Sequence, residues 1–340
     1  MDNKVSKRIK YIDVLKAFTI FLVLWGHSIF HFSSYRSNNW VYDFIYSFHM
    51  PLFMMLSGYF AYSSLKLKPV DFIKKKFIQL LLPCLTWGLL IWITYRSGIY
   101  KGEFHLNTLF RGWLGLIYNF WFLKSCFICF ILSYLAYQCH RYKLLILIIL
   151  TIICLFINRF NIYLMFPSFI VGLFLKERTD LLHYVYQHQL FFWIIFLGLF
   201  ISKPYIFHSV QNMSEVIPSG YYSTMIPFIL NRLYRIIEGI IGALSFISLF
   251  HLLFNNKDNI YINRCSDWGK YTLGIYILQA IIIETILTNY IELSHFNISI
   301  VNFILTPLIS AVVFFICIFI IKTIYHSKLL GLLFFGKQYN

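Results

Sequence analysis

The chain has 340 residues, 59% of them hydrophobic and 12% charged, with a mean hydropathy of +0.71. A soluble domain of this length could not bury so much apolar side chain, so that class is excluded and a polytopic α-helical membrane protein is left. The net charge of +16 does not point to nucleic acid, because the cations fall between apolar runs, where Lys and Arg flank helix ends on one side of a bilayer.

The first element is the apolar stretch Tyr11–Ser28, interrupted by Lys16 and His27. Eleven α-helical steps make three turns plus roughly 20°, so both side chains share a face, separated by a rise of about 16 Å. Polar groups at that depth are costly in lipid and mark a functional interior. A basic N-terminus precedes this stretch, yet Lys16 breaks the apolar run and no small-residue cleavage site follows, so it reads as a retained anchor. Ten spans are expected, at 12–32, 44–63, 77–95, 113–135, 144–158, 161–176, 189–207, 227–253, 269–290 and 300–323. Residues 203–226, with Pro204, Pro218 and Gly220, read as the longest polar connection. Nothing repeats internally and no separate soluble domain is expected, so 1–340 reads as a single transmembrane domain. With the N-terminus in the cytoplasm, nineteen Lys and Arg fall on the inner side and six on the outer, which also puts the C-terminus inside.

This topology sorts the polar residues by depth. His27, His49, Lys124, Arg235, Glu238 and Glu284 all fall toward the outer half of their spans. Arg235 and Glu238, three apart, could neutralise one another on one helix face. At the inner side lie Asp13, Lys16 and the run Lys74, Lys75, Lys76. The plain reading of that run is a lipid-facing anchor; the functional one is a mouth that attracts a phosphorylated cytosolic ligand. The seven cysteines are an odd number and sit mostly inside apolar spans; Cys126 and Cys129 read as core residues, and no metal site is expected.

The ordered motifs resemble the membrane-bound acyltransferase-3 family, which includes O-acetyltransferases of bacterial surface glycans. The likeness rests on Lys16 and His27 within DVLKAFTIFLVLWGH, on FHMPLFMMLSGYF (48–60), on WFLK (121–124) and on YTLGIYILQ (271–279). FIKKKFIQLLLP (72–83) and FPSFIVGLFLK (166–176) add weaker matches. The chain departs from the family where an Arg-x-x-Arg is common, reading Lys76 and Gln79, and where the late helix often ends in histidine, reading Gln279.

The resemblance implies an O-acyltransferase of the bacterial cytoplasmic (inner) membrane that acts in polysaccharide biosynthesis. It would move an acyl group, acetyl above all, from cytosolic acetyl-CoA or another acyl-CoA to a hydroxyl of a cell-surface glycan or lipid-linked sugar. No permanently bound cofactor is implied; partners would be acyl-CoA, the acceptor, the bilayer and glycan-assembly machinery. His27 is then the expected base, oriented by Glu284 or Glu238. Arg235, Lys124, Trp121 or His49 would stabilise the oxyanion. Lys16, Lys75 and Lys76 would hold the donor, with His49, Trp121 and Lys124 lining the substrate site. The competing class is an exporter of polysaccharide or lipid-linked sugar, which ten spans and the intrahelical prolines Pro83, Pro167 and Pro307 would also suit.

Overall fold

The computed structural model describes residues 9–34, 39–96, 120–206, 225–255 and 257–337, and no strand occurs among them. Helix α1 (Lys10–Phe32) is followed by α2 (Trp40–Ala61), whose first turn is closed by the Asn39 carboxamide accepting from the backbone of Val41 and Tyr42 at 3.2 Å. Pro69 opens the short α3 (Pro69–Lys76), where its missing N–H costs nothing. A π-helical turn (Phe77–Leu81) leads from it into α4 (Leu82–Arg96). Then come α5 (Trp121–Gln138), α6 (Lys143–Cys154), α7 (Ile162–Glu177), α8 (Thr179–Gln187) and α9 (Gln189–Ile206). The long α10 (Met225–Phe254) precedes α11 (Ile260–Trp268) and α12 (Thr272–Ile281), which runs into a π-helical turn at Ile282–Ile286. The chain ends in α13 (Thr306–Ile324) and α14 (Lys328–Phe335).

Helices occupy all ten stretches expected to span, although 113–119 of the fourth lie outside the described residues. By length and apolarity alone, six described spans could cross a membrane: Lys10–Phe32, Trp121–Gln138, Arg159–Glu177, Pro227–Phe254, Ile260–Asn289 and Ile298–Ile324. The pair Thr179–Gln187 and Gln189–Lys203, bent by 77°, makes a seventh if it is one span. Helix α9 continues through Pro204 to Ile206, so the expected connection begins later than residue 203; residues 207–224 of it lie outside the described ones.

Helix α2 sits at the centre, packed on α7 and α10, while α1 packs on α11 and α13. Small residues set the first of these crossings. A Cβ at Gly58 would overlap the Phe169 carbonyl, and one at Gly172 would overlap the Met55 carbonyl, so the α2 and α7 backbones touch through two glycines. Gly239 of α10 likewise accepts the Pro51 ring, whose Cγ lies 2.6 Å from where a Cβ would stand. Hydrogen bonds add to the packing of α1 on α13. Trp25 Nε1 donates to Thr306 Oγ1 at 3.1 Å and to the carbonyl of Asn302, just before α13, at 3.0 Å, and the Ser28 and Ser310 hydroxyls meet at 3.0 Å; beside them Asn39, the cap of α2, donates from Nδ2 to Asn302 Oδ1 at 2.8 Å. Interhelical bonds of this kind are worth about 0.6 kcal/mol each in a membrane, so together they fix register more than they supply stability. Ile148, Ile152 and Ile153 of α6 and Phe315 and Phe319 of α13 stay exposed, as a lipid-facing surface requires.

Candidate active site

Helix α1 is an unbroken α-helix across residues 10–32, so Lys16 and His27 fall on one face as their spacing implies. Each opens into a different cavity. The one at the lysine end has a volume of about 530 Å³ and is lined by Lys16, Lys75, Lys76 and Gln79, among others. The one at the His27 end, about 310 Å³, is lined by His27, Tyr46, His49, Trp121, Gln279 and Glu284, among others. Val23, Met50 and Tyr276 line both, so the two cavities meet along α1, with lysines at one extremity and an imidazole–carboxylate pair at the other.

At the lysine end, Lys16 Nζ lies 3.2 Å from Asp13 Oδ1 and 4.2 Å from the centroid of the Phe60 ring. The buried Lys76 lies over the Phe130 ring at 3.6 Å and reaches Gln79 Oε1 at 3.5 Å, so the residue that replaces the family's second cation is a neighbour of the first. Lys75 is exposed beside them.

At the other end, His27 Nδ1 lies 3.2 Å from Glu284 Oε1, close enough for the carboxylate to hold an imidazolium, although the pair is not aligned as a hydrogen bond. Gln279 Nε2 donates to the same carboxylate oxygen at 3.2 Å. That contact spans five residues and follows from the π-helical turn at Ile282–Ile286, which stacks position 284 over position 279. Of the two carboxylates left open by the sequence, Glu284 is therefore the one beside His27. Glu238 is buried elsewhere, in contact with Lys203 at 3.3 and 3.2 Å, while Arg235, three residues before it, adds the attraction its spacing suggested from a longer distance. His49 is buried and its Nδ1 sits 2.6 Å from the Ile45 carbonyl; a carbonyl only accepts, so Nδ1 carries the proton and neutral His49 keeps an acceptor at Nε2. Neutral His49 thus has no second N–H for an oxyanion.

Lys124 and Arg235 do not line the His27 cavity. Lys124 is buried, with its Nζ 5.4 Å from the Phe160 ring. Arg235 donates to the Tyr163 hydroxyl at 2.8 Å in a separate small pocket shared with Arg232, which binds the Leu155 carbonyl and Asn158. Three polar residues of the His27 cavity had no role assigned from the sequence: Tyr46, Gln279 and Tyr276. The Tyr276 hydroxyl accepts from the Phe122 amide at 3.3 Å, which leaves its own proton to donate at the junction of the cavities. Its signal was present in the G-I-Y motif, but depth alone did not separate it from lipid-facing tyrosines.

His27, His31 and Glu284 could together hold a divalent cation, since one ligand atom from each lies within 4.8 Å of the others. The cysteines of the C-x-x-C, Cys126 and Cys129, are buried and unbridged, as expected of core residues.

Comparison with known proteins agrees on the family. Residues 9–322 match the family model described as an acyltransferase domain (Acyl_transf_3). Nodulation protein NolL of Mesorhizobium japonicum is 33% identical over 122 residues, covering 34% of this chain and 32% of that protein. Nodulation protein NolL of Sinorhizobium fredii is 34% identical over 121 residues, covering 33% and 32%. The matched region thus spans about a third of each of these relatives. No solved structure matches the chain.

Proposed function

The chain belongs to the acyltransferase-3 family, whose model covers it almost throughout, and from that premise we propose that it carries an acyl group, acetyl above all, from acyl-CoA to a hydroxyl of a surface or lipid-linked glycan. In this reading residues 1–340 form one domain of ten spans in the bacterial cytoplasmic membrane, with the lysine end and both termini in the cytosol. The observation that carries it is the pair of abutting cavities, cationic at one end and bearing His27 and Glu284 at the other. The nucleotide of the donor stays with Lys16, Lys75 and Lys76. Its pantetheine arm follows α1 past Val23, Met50 and Tyr276, a path comparable to the roughly 16 Å rise between Lys16 and His27.

The acceptor enters the His27 cavity, whose aromatic wall of Tyr46 and Trp121 suits a sugar ring. His27 takes the hydroxyl proton on Nε2 while Glu284 stabilises the Nδ1 side of the imidazolium. The freed oxygen attacks the thioester carbonyl, and the Tyr276 hydroxyl donates to the oxyanion. Collapse of the tetrahedral intermediate breaks the C–S bond, and the thiolate takes the proton back from His27, so the enzyme ends as it began.

The test compares wild type with His27→Ala, at matched expression, for transfer of label from acetyl-CoA to envelope glycan. Transfer by wild type alone supports the reading. Loss of surface glycan itself in His27→Ala, in place of loss of its ester, would favour an exporter and overturn it.

A further inference from the structure

The wall of the lysine-end cavity includes a residue from the far end of the chain. Lys337 lines it together with Lys16, Lys75, Lys76 and Gln79. Its position is fixed by α14. The Ser327 hydroxyl caps that helix, accepting from the Leu330 amide at 3.4 Å, and the Trp87 indole of α4 donates to the Phe334 carbonyl at 2.9 Å. The Trp87 and Phe334 rings pack edge to face with centroids 4.9 Å apart, and Phe335 is buried. Gly336 then ends the helix in the left-handed conformation, φ +63°, where only glycine sits without strain. A Cβ there would overlap the Ile78 carbonyl and come within 2.8 Å of Gln79 Cα, so the backbone at 336 rests directly on the π-helical turn after Lys76. The C-terminal segment is therefore built into the mouth.

Charge gives this placement its meaning. Among the described residues the cavity lining holds four lysines and no carboxylate; Asp13, behind the wall, serves Lys16. Four lysines converging on one opening make it attractive to an anionic ligand. Gln79, between Lys76 and the Gly336 backbone, contributes an amide and no charge.

We propose that Lys337 is a phosphate-binding residue of this mouth, closing with Lys75 and Lys76 on the phosphates of the donor nucleotide. The identity of the ligand rests on the acyl-CoA reading above; the test does not. Adenosine 3′,5′-bisphosphate, which carries phosphates but no thioester, is titrated into the full chain in phosphatidylcholine nanodiscs by calorimetry. Lys337→Ala, an exposed position, weakens binding about tenfold, as loss of a charge-assisted contact does. Lys337→Arg stays within about twofold of wild type, and Lys322→Ala, a control on α13, changes nothing. Equal binding by Lys337→Ala and wild type overturns the proposal, as does a wild type that does not bind the bisphosphate. Reduced retention of phosphatidylglycerol in Lys337→Ala with bisphosphate binding unchanged assigns the residue to a lipid headgroup and overturns it too. A wild type that binds the bisphosphate yet transfers no acyl group sinks the catalytic reading and leaves Lys337 in place.

Discussion

Replacing Glu284 with Gln keeps the shape of the side chain, leaves an oxygen for Gln279 to donate to, and removes only the charge beside His27. At 3.2 Å and an effective dielectric of about 20, the attraction between imidazolium and carboxylate is about 5 kcal/mol. The side chains of His27 and Glu284 are 22% and 33% exposed, so water screens the pair, and about half, roughly 2–3 kcal/mol, is a fair share to assign to the transition state. That corresponds to a fall in kcat of about 30- to 150-fold. The lysine end lies about 16 Å along α1, so KM for the donor should hold. The assay is steady-state transfer of labelled acetyl from acetyl-CoA in nanodiscs, with Glu238→Gln as the comparison. Glu238 answers to Lys203, so its loss lowers the amount of folded protein and leaves kcat per folded molecule near wild type. A Glu284→Gln enzyme with more than half the wild-type kcat, or an equal loss of kcat in Glu238→Gln, would refute the assignment.

Tyr276→Phe removes the hydroxyl at the cavity junction and should cost about 10²-fold in kcat with little change in donor KM, measured in the same assay. Gly58→Val or Gly172→Val drives a side chain into a backbone carbonyl across the α2–α7 crossing; a loss of about 3 kcal/mol or more is expected, read as a lower melting temperature in detergent. Zn²⁺ should inhibit transfer through His27, His31 and Glu284, with chelator restoring the rate, and His31→Ala should raise the inhibitory concentration at least about tenfold. Arg235→Gln should leave kcat within about threefold, since Arg235 serves Tyr163 in another pocket.

What could be read from the sequence divides by physical cause. The Lys16–His27 face was legible because α1 is one regular helix and 3.6-residue periodicity is enough to align the two side chains. The positions of the helices were legible because hydropathy reports them directly. The choice between Glu238 and Glu284 was not, because it depends on a π turn at 282–286 and on a lysine 35 residues away from Glu238. Lys124 and Arg235 shared a depth with His27 yet do not reach its cavity. Depth comes from counting along a span, whereas rotation about the helix axis is set by packing, which turns Lys124 toward Phe160 and Arg235 to Tyr163. Lys337 was hidden for a different reason: a cation near a helix end looks like an orientation signal until the fold carries it to the cavity.

The π turn beneath Glu284 bears on how such an enzyme can change over generations. A π turn is an α-helix holding one additional residue. Deleting one codon at 282 or 283 would close that turn to the ordinary period and leave the flanking helix in phase, with the glutamate four residues after Gln279 in place of five. Gln279 would keep its stacked partner and His27 its carboxylate, because positions four apart share a face of an α-helix as positions five apart do in a π turn. One triplet thus separates two spacings of the same side-chain pair. A relative lacking the turn, aligned here without a gap, would show its carboxylate one position away from Glu284 although both occupy the same face.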